Sequence, residues 1–225
     1  MTDAQPPADR RLAAQALAAN DPTGWFEPLY AEAAAGTSVV PWDRDVPNPL
    51  LVDWLRSASL PQGTRGMVIG CGYGTDAEFV ASQGIRTTAF DVSPTAIRGA
   101  RARFPQSPVT YKVADLLNPP SSWLGAFDVV IESITVQSLP PDVRTAAITN
   151  IRNLLAPDAT LLVIADISRT PATTGPPWPL TRADIDSFTT PDLTQIRVEV
   201  LPRPDSSGLH RWRAEFHRPP DRQAG

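Results

Sequence analysis

Cysteine occurs once in these 225 residues, at Cys71. One thiol excludes an internal disulfide framework, and with His210 and His217 as the only histidines there are too few soft ligands for a zinc centre. Lysine is as scarce: Lys112 stands alone, so the basic charge is nearly all arginine. A net charge of −4 leaves no electrostatic footprint for nucleic acid or an anionic membrane. No stretch approaches the roughly 20 apolar residues of a membrane helix, and Met1–Arg10 lacks the apolar run of a signal peptide. These absences lead to the expectation of a cytoplasmic chain, monomeric by default, with no metal, no nucleic-acid partner and no membrane.

What is present suits one large core, since 42 % of residues are hydrophobic and 20 % charged. The expected organisation is a flexible N-terminus over 1–20, with Arg10–Ala19 alanine-rich and helical. A helical cap follows over 21–60, then a core over 61–218 and a flexible tail over 219–225. Trp25, Phe26, Tyr30 and Trp42 put too many aromatics in the cap for a free segment, and Leu50, Leu51, Trp54 and Leu55 repeat at helical spacing within Pro49–Ala58. Its removal up to residue 43 is expected to leave a folded core, because it precedes the first strand.

From Gly66 the pattern alternates. Gly66–Ile69, Thr87–Phe90, Val109–Val113, Phe127–Ile131 and Thr160–Ala165 read as buried strands, with helices over Asp76–Ser82, Ser93–Arg103 and Asp142–Leu155. Such alternation predicts an α/β fold, a mostly parallel sheet with helices on both faces. Leu193–Leu201 and Leu209–Phe216 have no helix between them, so they must pair antiparallel.

The strongest chemical signal is Gly66-Met-Val-Ile-Gly-Cys-Gly-Tyr-Gly74, a strand entering alternating glycines and then a helix. Gly70, Gly72 and Gly74, with Cys71 between them, let a ligand approach the main chain, and the helix start offers unpaired N–H groups. A tight turn would need the same glycines. Asp91 ends the second strand 21 residues after Gly70, where a carboxylate can accept both ribose hydroxyls of an adenosine ligand. Asp115 closes the third strand, within reach of an adenine amino group. Each aspartate alone reads equally well as a cap or turn former. Three such places on consecutive strands argue for a site.

These motifs resemble the class I S-adenosylmethionine-dependent methyltransferases over Gly66–Ala165. The resemblance implies a Rossmann-like sheet in the order 3-2-1-4-5-7-6, with S-adenosyl-L-methionine as cofactor and a small-molecule methyl acceptor. A nicotinamide dehydrogenase would carry its third glycine at position 75, which is Thr75 here. Within the class, the chain is similar to the thiopurine and halide/thiol methyltransferases. Val39-Val-Pro-Trp-Asp43 with Pro47-Asn-Pro49, the absence of an acid at Val68, Gly74-Thr-Asp76, and Gly175-Pro-Pro-Trp-Pro179 with Thr181–Phe188 carry that closer likeness.

The likeness implies that Trp42, Val92 and Leu116 join the cofactor site and that Asp76, or a nearby carbonyl, receives the methionine ammonium. Glu132, ending the fourth strand, falls where cofactor and acceptor should meet; it is the candidate catalytic residue, and equally a buried carboxylate held by an arginine. Trp25, Tyr30 and Trp178 are candidate walls for a flat substrate, or ordinary core. No general base is evident: His210 reads as a surface residue and Asp128 as structural. The acceptor is then a thiol, a halide-like anion or a heteroaromatic nitrogen, with phenols and carboxylates possible. Asn118-Pro-Pro-Ser121 follows the third strand rather than the fourth and reads as a turn. An NAD(P)-binding oxidoreductase and a non-catalytic S-adenosylmethionine-binding protein remain the alternatives.

Overall fold

The computed structural model describes residues 6–203, 205 and 207–221. The first five residues of the expected flexible start and the last four of the expected tail lie outside them.

Seven strands form one sheet in the order β3-β2-β1-β4-β5-β7-β6. They are β1 (Arg65–Ile69), β2 (Arg86–Asp91), β3 (Thr110–Val113), β4 (Phe127–Ser133), β5 (Leu155–Asp166), β6 (Thr194–Pro202) and β7 (His210–His217). β1 to β5 pair in parallel, while β7 runs antiparallel to both β5 and β6. The expected Rossmann-like methyltransferase topology is the one found. β5 starts earlier than its apolar run suggests, because it leaves α6 without a loop.

The helices are α1 (Ala8–Ala18), α2 (Phe26–Ala34), α3 (Pro49–Ser57), α4 (Thr75–Ser82), α5 (Pro94–Arg103), α6 (Pro141–Leu154) and α7 (Arg182–Asp186). Local chemistry fixes several starts. Asn48 accepts from the Leu50 N–H ahead of Pro49, and Ser93 accepts from the Ala96 N–H ahead of Pro94. Thr181 and Asp184 close a reciprocal capping box on α7.

The strands are apolar on both faces because both are covered. Met67, Ile69, Val130, Leu161 and Val163 join the core shared with α1, α2, α6 and α7. Val68, Val129, Ile131, Leu162 and Ile164 join the one shared with α3, α4 and α5.

In the N-terminal region the helix expected over Arg10–Ala19 and the packing expected of the aromatic cap are found, and one expectation is corrected. α1 occupies much of the 1–20 stretch expected to be flexible, and its Leu12 and Ala13 are buried. Trp25, Phe26 and Leu29 belong to the main core cluster. The cap is therefore a packed part of the molecule, since its removal would strip apolar cover from one sheet face.

Candidate active site

Two clefts open over the carboxyl ends of β1, β2 and β4. They share Tyr30, Trp42, Ile69, Gly70, Ser133 and Ile134 as common walls. Parallel strands of an open sheet present their carboxyl ends at this rim, and the order reverses between β1 and β4, where ligands bind in such sheets.

The glycine loop forms one edge of the second cleft. Gly72 has φ +53°, and a Cβ there would sit 2.8 Å from the Tyr30 Oη. Gly74 has φ +91° and a Cβ would collide with the Tyr111 hydroxyl. Both positions therefore exclude a side chain by conformation and by space. Gly70, Cys71 and Asp76 line the same cleft. Asp76 accepts from the Asn48 N–H at 2.7 Å, and burial raises its pKa above the ordinary carboxylate range against that bond and the nearby Arg44.

Asp91, Val92, Asp115 and Leu116 all line the first cleft. Asp91 is buried and accepts from the Gly72 and Ser93 N–H groups, each at 2.9 Å. Burial outweighs these bonds and pushes its pKa up to about 6. Asp115 accepts from the Leu117 N–H at 2.8 Å, which orients its carboxylate at the end of the cleft. Phe26, Phe90 and Leu139 supply apolar wall beside these carboxylates. The cleft thus offers an apolar slot with two acceptors at its side.

Glu132 is fully buried and lines neither cleft. One oxygen accepts from the Thr135 N–H at 2.7 Å and the Val136 N–H at 2.8 Å; the other has no partner among the described residues. Burial pushes its pKa up to about 7. Among the described residues no arginine holds it. Backbone donors do, and they belong to a turn the sequence did not single out. In that turn Ile134 adopts φ +58°, which a β-branched residue rarely tolerates. Ile134 nevertheless lines both clefts. Glu132 therefore braces the turn that carries Ile134 into both clefts.

Of the aromatics, Tyr30 and Trp42 line both clefts, and the Trp42 Nε1 donates to the Tyr30 hydroxyl at 2.9 Å. Burial, with Asp91 adding to it, raises the Tyr30 pKa well above the ordinary phenol value. Trp25 lines neither cleft; it stacks on Phe26 with centroids 4.0 Å apart and meets Trp42 edge-on at 5.8 Å. Its place as a substrate wall is not found, because its ring packs behind Trp42, which lines both clefts. Trp178 is also buried outside the clefts, and its N–H donates to the Gln137 carbonyl at 2.6 Å. Its neighbours Pro176, buried, and Pro177, exposed, instead line a third cavity.

That cavity adjoins the clefts, since Trp42 and Ile134 line all three. Its other walls include Arg44, Gln137, Asp166, Arg203 and Arg211. Asp166 accepts from the Arg211 Nε at 2.7 Å and from the Gln137 amide at 3.0 Å. Sequence reading missed these residues, because they come from distant segments and form no motif. His210 is exposed and lines none of the three, and Asp128 is paired with Arg65. Among the described residues no three His, Cys, Asp or Glu side chains gather as metal ligands, and no helix is long and apolar enough to cross a membrane.

Comparison with known proteins places these features in context. Residues 34–213 match the model of the thiopurine S-methyltransferase family. The chain is 25 % identical over 220 residues to a probable thiol methyltransferase 2 of Arabidopsis thaliana, covering 93 % of this chain and 94 % of that one. It is 26 % identical to thiocyanate methyltransferase 1 of Brassica oleracea, over 78 % of this chain and 80 % of the relative. A structure solved in work on the conversion of a disulfide bond into a thioacetal group during echinomycin biosynthesis superposes with a TM-score of 0.68. It is 26 % identical and covers 88 % of this chain and 93 % of its own.

Proposed function

This chain belongs to the thiopurine S-methyltransferase family, and from that premise we propose that the atom it methylates is the sulfur of a small, flat thiol. The chain is an S-adenosylmethionine-dependent methyltransferase acting on a small-molecule nucleophile. Relatives named as thiol and thiocyanate methyltransferases support sulfur as the acceptor.

The two clefts fit the cofactor by the chemistry of their walls. The first pairs an apolar slot with the carboxylates of Asp91 and Asp115, as an adenine ring, its amino group and two ribose hydroxyls require. The second carries Asp76 and Arg44, opposite charges suited to the ammonium and carboxylate of a methionyl group. We assign Asp91 to the ribose, Asp115 to the adenine amino group, Val92 and Leu116 to the adenine faces and Asp76 to the ammonium. Arg44 takes the methionyl carboxylate, and Gly70, Cys71, Gly72 and Gly74 give main-chain approach.

When bound, S-adenosylmethionine supplies a methyl group already activated on a sulfonium sulfur. The protein's task is then alignment and exclusion of water. Trp42 and Tyr30, locked to each other by a hydrogen bond, cover the clefts from the cap, and Ile134 sets the boundary with the third cavity.

The observation that carries the sulfur reading is that the adjoining cavity is lined by no histidine and that its Asp166 and Asp205 are tied to arginines, leaving only the half-exposed Asp9 carboxylate on α1. Asp166 also accepts from the Gln137 amide. A thiol, with an ordinary pKa near about 8.5, is partly ionised at neutral pH and surrenders its proton to solvent; a phenol is not. We read the chain as a cytoplasmic monomer without a nucleic-acid partner, in keeping with its lone cysteine and acidic balance.

The test pairs binding with turnover. Calorimetric titration with S-adenosylhomocysteine should show binding where NADH shows none, and thiophenol should be methylated far faster than phenol or aniline. Equal turnover of phenol would overturn the sulfur assignment.

A further inference from the structure

Between α2 and α3 the chain passes along the second cleft as a strap, residues 35–48, that forms neither helix nor strand. Trp42, Asp43, Arg44 and Val46 of the strap line that cleft. Only Val40 and Asn48 of the strap are buried, so apolar packing does little to hold Asp43 and Arg44 in place.

What holds them is polar and centres on Arg103, the last residue of α5. Its Nη1 and Nη2 donate to the two carboxylate oxygens of Asp43 at 2.9 and 3.0 Å. Nη1 also reaches the Thr75 hydroxyl at 3.4 Å, and that hydroxyl donates to the Arg44 carbonyl at 2.9 Å. The same guanidinium lies over the Tyr73 ring, 5.1 Å from its centroid. Tyr73 and Thr75 come from the glycine loop and the start of α4, and both line the second cleft. One side chain thus ties the strap to the glycine loop.

α5 is shaped to admit this arrangement. Gly99 sits inside that helix, where glycine is a poor helix former, and a Cβ there would lie 2.5 Å from the Tyr73 ring. An isolated surface ion pair contributes little, but a two-pronged one joined to a network holds geometry. Arg103 lines neither cleft nor the third cavity, so its task is not contact with a ligand.

We propose that Arg103 is a positioning residue for the amino-acid end of the cofactor: through Asp43 and Thr75 it fixes Arg44 where the methionyl carboxylate binds. The proposal rests on the assignment of Arg44 to that carboxylate above. Its reach is confined to the methionyl end, because Trp42 alone of the strap lines the first cleft and is anchored separately by Tyr30.

S-adenosylhomocysteine and 5′-methylthioadenosine share the adenosine and the thioether sulfur and differ in the amino-acid end. Both are titrated calorimetrically into the full-length protein, Arg103→Gln, Asp43→Asn and the double variant. The parent protein should bind S-adenosylhomocysteine more tightly by about tenfold or more. Arg103→Gln should cut that preference about three- to fivefold while 5′-methylthioadenosine affinity stays within about twofold. Asp43→Asn should cut it equally, and the double variant no further than either. The two single substitutions remove opposite charges, so a long-range field would move the preference in opposite directions, whereas the tie moves it in one. The preference is internal to each variant and independent of the folded fraction. A preference that survives Arg103→Gln overturns the proposal, as do shifts of opposite sign or losses that add in the double variant. A loss shared equally by both ligands overturns it too, because it marks Arg103 as a support of the whole fold. Equal binding of the two ligands by the parent protein overturns the Arg44 assignment and the proposal with it, a result distinct from all of these.

Discussion

Two buried carboxylates show how differently the same side chain can serve one site. Asp91 lines the first cleft while accepting from the Gly72 and Ser93 N–H groups; Glu132 lines no cleft and accepts from the Thr135 and Val136 N–H groups. Asp91→Ala should weaken S-adenosylhomocysteine binding by about one to two orders of magnitude, the worth of charged hydrogen bonds of roughly 1.5–3 kcal/mol. Because burial pushes the Asp91 pKa up to about 6, its acceptor oxygens are lost as pH falls through that value. The dissociation constant should rise below it, and calorimetry on Asp91→Asn should find that part of the rise gone. Glu132 makes a prediction about stability. Its folded pKa, pushed up to about 7, lies above its ordinary value, so between the two the folded state holds more protons and stability falls as pH rises. Glu132→Gln keeps an oxygen for the Thr135 and Val136 N–H groups and cannot ionise. Its melting temperature relative to the parent protein should therefore climb from pH 5 to pH 8; a constant difference would mean Glu132 does not titrate in that range.

At the scale of elements, the cap is pinned to the sheet at several points beyond its apolar contacts. Glu27 on α2 accepts from the Ser93 hydroxyl at 2.5 Å, the Thr95 N–H at 3.0 Å and the Thr95 hydroxyl at 2.5 Å, binding the cap to the start of α5. Asp43 pairs with Arg103 at 2.9 Å, and the Asn48 N–H reaches Asp76. Ser93 also donates its N–H to Asp91, so the Glu27 clamp and the cleft carboxylate meet in one residue. Glu27→Ala should lower stability by about 1–3 kcal/mol, leaving Ser93 and Thr95 donors unmet, and should weaken S-adenosylhomocysteine binding as well. Chemical denaturation and calorimetry on the same variant separate the two effects. Unchanged cofactor affinity would show that the clamp holds the cap without holding the site.

For the whole molecule, the clefts draw on the cap, the glycine loop and the ends of β2, β3 and β4, so a ligand filling them ties distant segments together. S-adenosylhomocysteine at about 100 times its dissociation constant should stabilise the fold by about 2.7 kcal/mol. For a chain of this size, that is a rise in melting temperature of about 5–10 °C. Differential scanning fluorimetry reads it directly, with NADH as the control that should produce no shift.

The sequence determined the order and kind of nearly every element, because apolar period, glycine position and caps are local. It also placed Asp91 and Asp115 at the sheet's carboxyl rim, since a residue at or just past a strand's end is placed by the strand. Only the tertiary structure decided that Glu132 braces a strained turn, that Trp25 supports Trp42 and that the cap belongs to the core. Each of those depends on which surfaces meet across long stretches of chain. The third cavity is the extreme case: Arg44, Arg203 and Arg211 share no spacing that marks a site, and the fold alone gathers them around it.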